Sequence, residues 1–288
     1  MNVVHDAGRL EQVPRAVAIG TFDGVHLGHR AVVHAAVDAG LRSTVVTFDP
    51  HPRLVLGRDV ELLASVQRRL ELLADCGVED VLVVPFTPEL AALDAEAFAR
   101  AYLVGIGAQV VVAGAGFRFG RERAGDLALL ERLGIETRNV PLVEGISSTR
   151  IRGLVACGDV EHAAGLLGRP VEVEGEVVGG DQRGAGLGFP TANLATPEHL
   201  LIPANGIYAG AAGDARAAVS IGVNPHFGGR ERRVEAFLLD WTGDLYGERL
   251  VVQLWRRLRD ERAFASDQEL VDQIARDVEE TRAATPPA

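Results

Sequence analysis

Along the first half of the chain, short apolar or β-branched runs alternate with stretches in which apolar residues recur every three to four positions. The runs Ala16–Gly20, Ser43–Phe48, Val81–Val84 and Gln109–Ala113 predict strands. Leu27–Ala39, Gln67–Asp75, Ala95–Gly105 and Asp126–Leu133 carry the helical period, and Gly77 and Gly134 are placed to end two of them. Asp49-Pro50-His51-Pro52 follows the second strand and is expected to be a non-helical loop. Strands that are apolar on both faces must be covered on both faces, so this rhythm predicts an α/β domain built on a parallel sheet. Near Leu167–Pro170 the pattern changes. Val171–Val178, Gly206–Ala211, Ala217–Val223, Arg233–Trp241 and Leu250–Trp255 are alternating segments broken by Gly, Pro and Asn. No helical period returns until Asp267–Thr281. This half predicts an antiparallel β-barrel closed by a C-terminal helix. The expected domains are residues 1–168 and 169–288, with Ala283–Ala288 frayed.

Composition narrows the class. At 288 residues the chain can hold two domains, each with its own core. A formal net charge of −11 argues against a general nucleic-acid binder, which presents a basic face, but leaves room for a local arginine cluster. No apolar run reaches the roughly 18 residues of a membrane span. Met1–Val13 lacks the charged-then-apolar order of a signal peptide. Cys76 and Cys157 are isolated, which points to a reducing cytoplasmic setting and to neither disulfide nor zinc. All 29 basic residues are arginine. A P-loop needs Gly-Lys-Ser/Thr and a Schiff base needs lysine, so both are excluded. Any nucleotide must be handled by His, Arg, Ser/Thr, backbone N–H groups and metal.

Ligands of open parallel sheets bind beyond the carboxyl ends of the strands. Three unusual segments lie there or near a helix start. Ala18-Ile19-Gly20-Thr21-Phe22-Asp23-Gly24-Val25-His26-Leu27-Gly28-His29 reads as a strand, a glycine-punctuated turn and a helix start with two imidazoles. A helix start exposes backbone N–H groups and the positive end of the dipole, so it attracts phosphate. His26 and His29 are expected on one face of the first turn, where they add donors. A surface histidine pair is the plainer alternative, and a zinc site would need a third ligand that the segment lacks. Gly145-Ile146-Ser147-Ser148-Thr149-Arg150-Ile151-Arg152 holds good N-cap residues followed by two arginines. Capping accounts for the hydroxyls. Arginines oppose the dipole at a helix start, so an anion is expected there. Gly114–Arg121 is either a loop with a buried Phe117/Phe119 pair or a backbone that closely approaches a flat ligand.

In the second half, Thr191 and Asn193 supply neutral oxygens two residues apart, hence on one face of an extended segment. Magnesium takes such hard oxygens and few of them from protein. A simple Pro-Thr-Ala-Asn turn is the alternative. Glu235 lies between Val234 and Ala236 in a strand whose same face carries Phe237 and Leu239. A carboxylate among apolar neighbours suits general-base work. A strand with an apolar outer face is the plainer reading.

Four segments of the first half resemble, in order and spacing, the bacterial bifunctional riboflavin kinase/FAD synthetase family. They are Gly20–His29, Phe48-Asp49-Pro50-His51-Pro52, Phe117-Arg118-Phe119-Gly120 and Ile146–Arg152. Gly179–Gly184, Leu187–Leu194, Ile207-Tyr208-Ala209, Gly222-Val223-Asn224-Pro225, Val234-Glu235-Ala236, Asp244–Gly247, Leu258–Glu261 and Gln273–Asp277 continue the likeness over nearly the full chain. The resemblance implies a Rossmann-like nucleotidyltransferase domain of the His-x-x-His superfamily, followed by a riboflavin kinase barrel. It implies that ATP phosphorylates riboflavin to FMN and then adenylylates FMN to FAD, with Mg2+ and with ATP as co-substrate. Glu235, His26 and His29 would be catalytic. Gly20, Phe22, Asp23, Gly24, Ser147, Ser148, Thr149, Arg152 and Gly179 would bind ATP, as would Thr191 and Asn193, which would also hold the metal. Phe48, Pro50, His51, Phe117, Phe119 and Arg259 would bind flavin. No nucleic-acid or membrane partner is expected, and the chain is expected to be a monomer or weak homo-oligomer. The sequence departs from the family at Gly116, where Asp or Asn is usual, at Ala185-Gly186 after Arg183-Gly184, and at His226 after Asn224-Pro225. A kinase with an impaired adenylyltransferase half and a non-catalytic flavin or nucleotide sensor are the alternatives.

Overall fold

The computed structural model describes residues 1–180, 188–223 and 232–287. The chain divides into two compact units, Met1–Val60 with Ser65–Ser147, and Glu61–Ala64 with Ser148–Ala288.

The first unit is a six-stranded sheet in the order β1-β4-β3-β2-β5-β6. Its strands are β1 (Asn2–Val4), β2 (Arg15–Ile19), β3 (Arg42–Asp49), β4 (Asp80–Pro85), β5 (Ala108–Gly114) and β6 (Glu136–Val140). Every pairing is parallel. Successive residues of β2 point to opposite faces. Val17 and Ile19 enter one core with Val46, Val111 and Phe98. Ala16 and Ala18 enter the other with Val45, Val110, Leu72 and Leu73. Two cores sharing one sheet explain why the strand sequences are apolar throughout. The chain leaves β2 toward β3 on one side and returns to β5 on the other, so the topological switch point lies between β2 and β5.

The helices of this unit are α1 (Leu27–Val37), α2 (Pro52–Val55), α3 (Val66–Asp75), α4 (Pro88–Ala92), α5 (Ala95–Tyr102) and α6 (Leu127–Arg132). Ser65 Oγ accepts from Arg68 N–H at 3.1 Å and Asp94 Oδ1 from Ala97 N–H at 2.9 Å, capping α3 and α5. Two expectations need correction. The α5 helix stops at Tyr102, and Val104–Ile106 forms a separate 3-10 turn. Gly107 turns the chain there at φ +85°, where a Cβ would lie 2.6 Å from the Val13 carbonyl oxygen. Pro52 does not stay in the loop but occupies the first position of α2, where a missing N–H costs nothing.

The second unit is a closed barrel in the order β10-β11-β8-β7-β12-β9. Its strands are β7 (Val171–Val178), β8 (Ala192–Ala195), β9 (Gly206–Ala212), β10 (Ala215–Val223), β11 (Arg232–Leu238) and β12 (Arg249–Arg259). All its pairings are antiparallel. Helices α7 (Ser148–Ala156) and α8 (Val160–Leu167) precede it and α9 (Asp267–Ala283) follows. Residues 61–64 belong here because Leu62 donates to the His199 carbonyl at 2.6 Å and accepts from Leu201 at 2.8 Å.

Candidate active sites

Beyond β2 the backbone turns sharply. Phe22 (φ +49°), Gly24 (+79°) and Val25 (+38°) all lie in the left-handed region. A β-branched residue there stores strain, roughly 1–3 kcal/mol, and such strain gathers at functional sites. The loop is packed tightly: Phe22, Asp23, Val25 and His26 are buried. The Phe22 ring folds back over Gly20, where a Cβ would meet it at 3.3 Å. His26 sits at the N-cap of α1 rather than inside its first turn, which corrects the sequence reading. Its Nδ1 accepts the His29 N–H at 3.2 Å, so the proton of the neutral ring resides on Nε2. The His26 and His29 rings stack at 3.6 Å and 15°. Phe22 meets His29 edge-on at 5.4 Å. Gly28 leaves room for this, because a Cβ there would press on the His26 ring at 3.3 Å. The arrangement presents imidazole donors at a helix start on the carboxyl end of the sheet.

The aromatic residues at the end of β3 and after β5 converge on one face of the same sheet. Phe117 stacks on Phe119 at 5.5 Å, Phe119 meets Phe98 at 5.7 Å, and Phe98 meets Phe48 at 6.2 Å. Phe119 is buried, whereas Phe48 and Phe117 are half-buried. Pro50 is exposed and His51 is buried, with its Nδ1 accepting from Arg53 N–H at 3.2 Å to cap α2. Gly116 has φ +78° and open space around the position of a Cβ. Asn and Asp tolerate that backbone better than other side chains do, so glycine here keeps the turn and omits a polar group.

Arg69 was not singled out in the sequence, yet it lies beneath both loops. It is 4% exposed. Its Nη1 donates to the Thr21 carbonyl at 2.8 Å and its Nη2 to the Phe48 carbonyl at 3.0 Å. Burial pulls its guanidinium below its ordinary pKa, against the opposing influence of Asp23 and Asp49. A signal was available: Arg69, Leu72, Leu73 and Cys76 fall at i, i+3, i+4 and i+7, the buried stripe of α3.

Of the serine-arginine segment, Ser147 closes the first unit, and Ser148, Thr149 and Arg152 open α7 in the second. Arg152 is half-buried, and its Nε donates to the Glu61 carbonyl at 2.7 Å.

On the barrel, strand register assembles a row. Asn193 of β8 pairs with Glu235 of β11, Glu235 with Ser220 of β10, Ser220 with Ile207 of β9, and Ile207 with Arg259 of β12. Directly paired residues share a face with Cβ atoms about 5 Å apart. All five line a cavity of about 400 Å³, together with Thr191, Phe189, Phe237, Phe264 and residues of α9. In β11, Val234, Ala236 and Leu238 are buried while Glu235 and Phe237 face the cavity. Thr191 Oγ1 donates to Glu235 Oε2 at 3.2 Å. The main chain of Gly180 approaches so closely that a Cβ there would lie 2.2 Å from Asn193 Nδ2. Gly179 beside it has open space.

Arg259 reaches the cavity wall with its guanidinium paired to Asp277 of α9, Nε to Oδ1 at 2.9 Å and Nη2 to Oδ2 at 2.6 Å. Glu261 folds over Gly222, where a Cβ would touch its carboxylate at 2.0 Å. Burial pushes the Glu261 carboxyl up; the nearby Glu235 charge adds to this, while Asn205 and Arg259 oppose it. Strand alternation already put Phe237 on the face of Glu235, and Phe189, Glu261 and Asp277 lie in the family-like segments without a site role, whereas Phe264 was not singled out because only tertiary packing brings it to the wall. Arg183 and His226 lie outside the described residues.

The donor set fits magnesium. Thr191 and Asn193 offer neutral hard oxygens beside one carboxylate, suited to an ion whose other ligands are phosphate and water. Among the described residues no group of three His, Cys, Asp or Glu is placed to hold a metal by itself.

Residues 9–151 match the family model described as FAD synthetase, and residues 167–285 the one described as riboflavin kinase. The class is thus a nucleotidyltransferase unit joined to a kinase barrel, and such families use ATP, generally with a divalent metal. A bifunctional riboflavin kinase/FMN adenylyltransferase of Listeria monocytogenes is 35% identical over 94% of this chain and 92% of its own. The Escherichia coli K12 protein of the same name is 36% identical over 96% of each. A crystal structure from Streptococcus pneumoniae, named as a macrolide-efflux protein, superposes with a TM-score of 0.87 at 33% identity, covering 98% of this chain and 99% of that one. Among the described residues no helix is long and apolar enough to cross a membrane. The chain belongs to the bifunctional riboflavin kinase/FMN adenylyltransferase family and is an enzyme of that kind.

Proposed function

We propose that the chain phosphorylates riboflavin to FMN in the barrel cavity and adenylylates FMN to FAD at the carboxyl end of the parallel sheet, each time with ATP. The kinase function is assigned to residues 169–288 and the adenylyltransferase function to residues 1–168. The observation that carries the reading is Glu235, held 3.2 Å from Thr191 Oγ1 and paired across the strands with Asn193 on the cavity wall.

In the kinase step Glu235 accepts the proton of the riboflavin 5′-hydroxyl as that oxygen attacks the γ-phosphorus and ADP leaves. Thr191 and Asn193 would hold Mg2+, and the Gly179–Gly180 segment gives the phosphate chain close access to the backbone. When bound, the ion neutralises charge on the transferring phosphoryl group. Arg259, fixed by Asp277, forms part of the flavin wall.

In the adenylyl step the FMN phosphate attacks the α-phosphorus and pyrophosphate leaves. That nucleophile is already an anion, so no base is required and catalysis reduces to positioning and charge neutralisation. His26 and His29 donate to the ATP phosphates, and Gly20, Phe22, Asp23 and Gly24 shape the loop that receives them. Ser147, Ser148, Thr149 and Arg152 are assigned to phosphate binding at the start of α7. Phe48, Pro50, His51, Phe117 and Phe119 accept the flavin ring. The enzyme is assigned to the cytoplasm, as a monomer or weak homo-oligomer without a nucleic-acid partner. The test is a product chromatogram from riboflavin, ATP and magnesium. FMN followed by FAD and pyrophosphate is expected; FMN without FAD would favour an impaired first unit, and neither product, despite tight flavin binding, a sensor.

A further inference from the structure

We propose that Arg69 is a positioning residue of the adenylyltransferase site: a buried, fixed cation that ties the ends of β2 and β3 together and offsets two carboxylates where polyanionic substrates must sit. The inference rests on reading the first unit as the adenylyltransferase.

Three observations lead there. The first is what Arg69 bonds. A buried arginine usually pairs with a carboxylate, but the hydrogen bonds of Arg69 go to the carbonyls of Thr21 and Phe48. Its Nε has no hydrogen-bond partner among the described residues. The second is where those carbonyls stand. Thr21 immediately precedes the strained Phe22–Val25 turn that presents His26 and His29. Its carbonyl accepts from both Arg69 Nη1 and, at 3.2 Å, Thr47 Oγ1. Phe48 immediately precedes Asp49-Pro50-His51 on the neighbouring strand. One planar guanidinium therefore sets the spacing of two ligand-facing loops, which an ammonium group cannot do with the same rigidity.

The third observation is charge. Asp23 and Asp49 are the acidic groups felt by Arg69. ATP and FMN bring several negative charges to the loops that carry those two aspartates. Without Arg69 the local field turns against both substrates; Asp49 is exposed, so salt screens part of that field.

The experiment compares full-length wild type, Arg69→Gln and Arg69→Lys. Riboflavin phosphorylation serves as the control in each protein. For Arg69→Gln the KM for ATP in FAD formation should rise at least tenfold, and more steeply at low salt. Arg69→Lys keeps the charge and should hold that KM within threefold, while kcat falls because one carbonyl loses its donor. Phosphorylation of riboflavin should stay within twofold throughout. A folded Arg69→Gln with an unchanged KM overturns the proposal, and so does an Arg69→Lys whose KM is as impaired as that of Arg69→Gln. If Arg69→Gln does not fold, the Arg69→Lys KM alone decides by the same threefold limit. Wild type that makes no FAD removes the adenylyltransferase reading instead. Calorimetry with ATP then still decides on Arg69, with one of two ATP sites weakening tenfold in Arg69→Gln as the supporting result and no change as the contrary one.

Discussion

Replacing Asp80 with Asn should destabilise the first unit without touching its chemistry. Asp80 opens β4 and is 1% exposed against Arg15 of β2, which is fully buried. Arg15 also donates to Thr44 Oγ1 at 2.9 Å, to the Ile106 carbonyl at 3.0 Å and to the Glu11 carbonyl at 2.6 Å. Arg42 Nε reaches Asp80 Oδ2 at 2.8 Å, and Asn2 Nδ2 reaches Oδ1 at 3.2 Å. The cluster thus stitches together the amino ends of β1 to β4, opposite the candidate loops. Burial alone would push the Asp80 carboxyl up, but hydrogen bonds from Arg42, Arg15 and Asn2 and the Arg15 charge outweigh it, holding the pKa at about 2 against an ordinary 3.8. A depression of that size is linked to about 2 kcal/mol of stability. The folded pKa is the lower one, so this stability is present above pH 3.8 and is shed as the pH falls through about 2. Asp80→Asn also leaves the Arg15 charge buried without its counterion, a loss of about 3–5 kcal/mol in comparable buried pairs. The assay is urea unfolding at several pH values. Both tryptophans, Trp241 and Trp255, lie in the second unit and report on it by fluorescence, whereas far-UV circular dichroism also follows the first. At pH 7 Asp80→Asn should lower the stability of the dichroism-only transition by about 3 kcal/mol and leave the fluorescence transition in place. The gap to wild type should narrow from pH 3.8 to pH 2. A loss under about 1 kcal/mol, or a gap that persists unchanged at pH 2, refutes the reasoning.

Glu235→Gln keeps the size of the side chain and its bond from Thr191, so it should lower riboflavin phosphorylation by about 10²–10⁴-fold while FMN adenylylation stays within about twofold; equal loss of both in separate assays speaks against a base role. His29→Ala should do the reverse, reducing FAD formation from FMN by about tenfold or more through a lost charge-stabilising donor and sparing the kinase step. Gly180→Ala drives a methyl group into Asn193 and should weaken magnesium binding in the kinase step, seen as a higher magnesium requirement, with adenylylation as the internal control.

The sequence revealed most where burial was two-sided. β2, β3 and β5 are apolar runs because both cores claim them, and their observed limits lie within one residue or so of the expected ones. The sheet edges were silent: β6 reads Glu-Thr-Arg-Asn-Val and is mostly exposed, so it carries no apolar run. β8 is four residues, Ala-Asn-Leu-Ala, and becomes a strand through its pairing with β7 and β11 rather than through any propensity of its own. The histidine loop was legible because glycines, a strand end and a helix start fall together. The N-cap position of His26 was not, since it depends on a side chain turning back to its own helix. Glu235 was legible from strand alternation, whereas Glu261 and Asp277 reach the same cavity only through the chain after β12 and the docking of α9. Arg69 was hidden by its neighbours: beside Arg68 and Glu71 it looks like part of a solvated face, and only the period of the stripe turns it inward.

Two independent sites in one chain make complementation the sharpest test. Riboflavin, ATP and magnesium are supplied to the Glu235→Gln protein, to the His29→Ala protein and to an equal mixture, and flavins are separated by chromatography. The account predicts nearly unchanged riboflavin in the first, FMN with little FAD in the second, and more FAD in the mixture than in either. A mixture that makes no more FAD than its parts, or a Glu235→Gln protein that converts riboflavin at the wild-type rate, contradicts it.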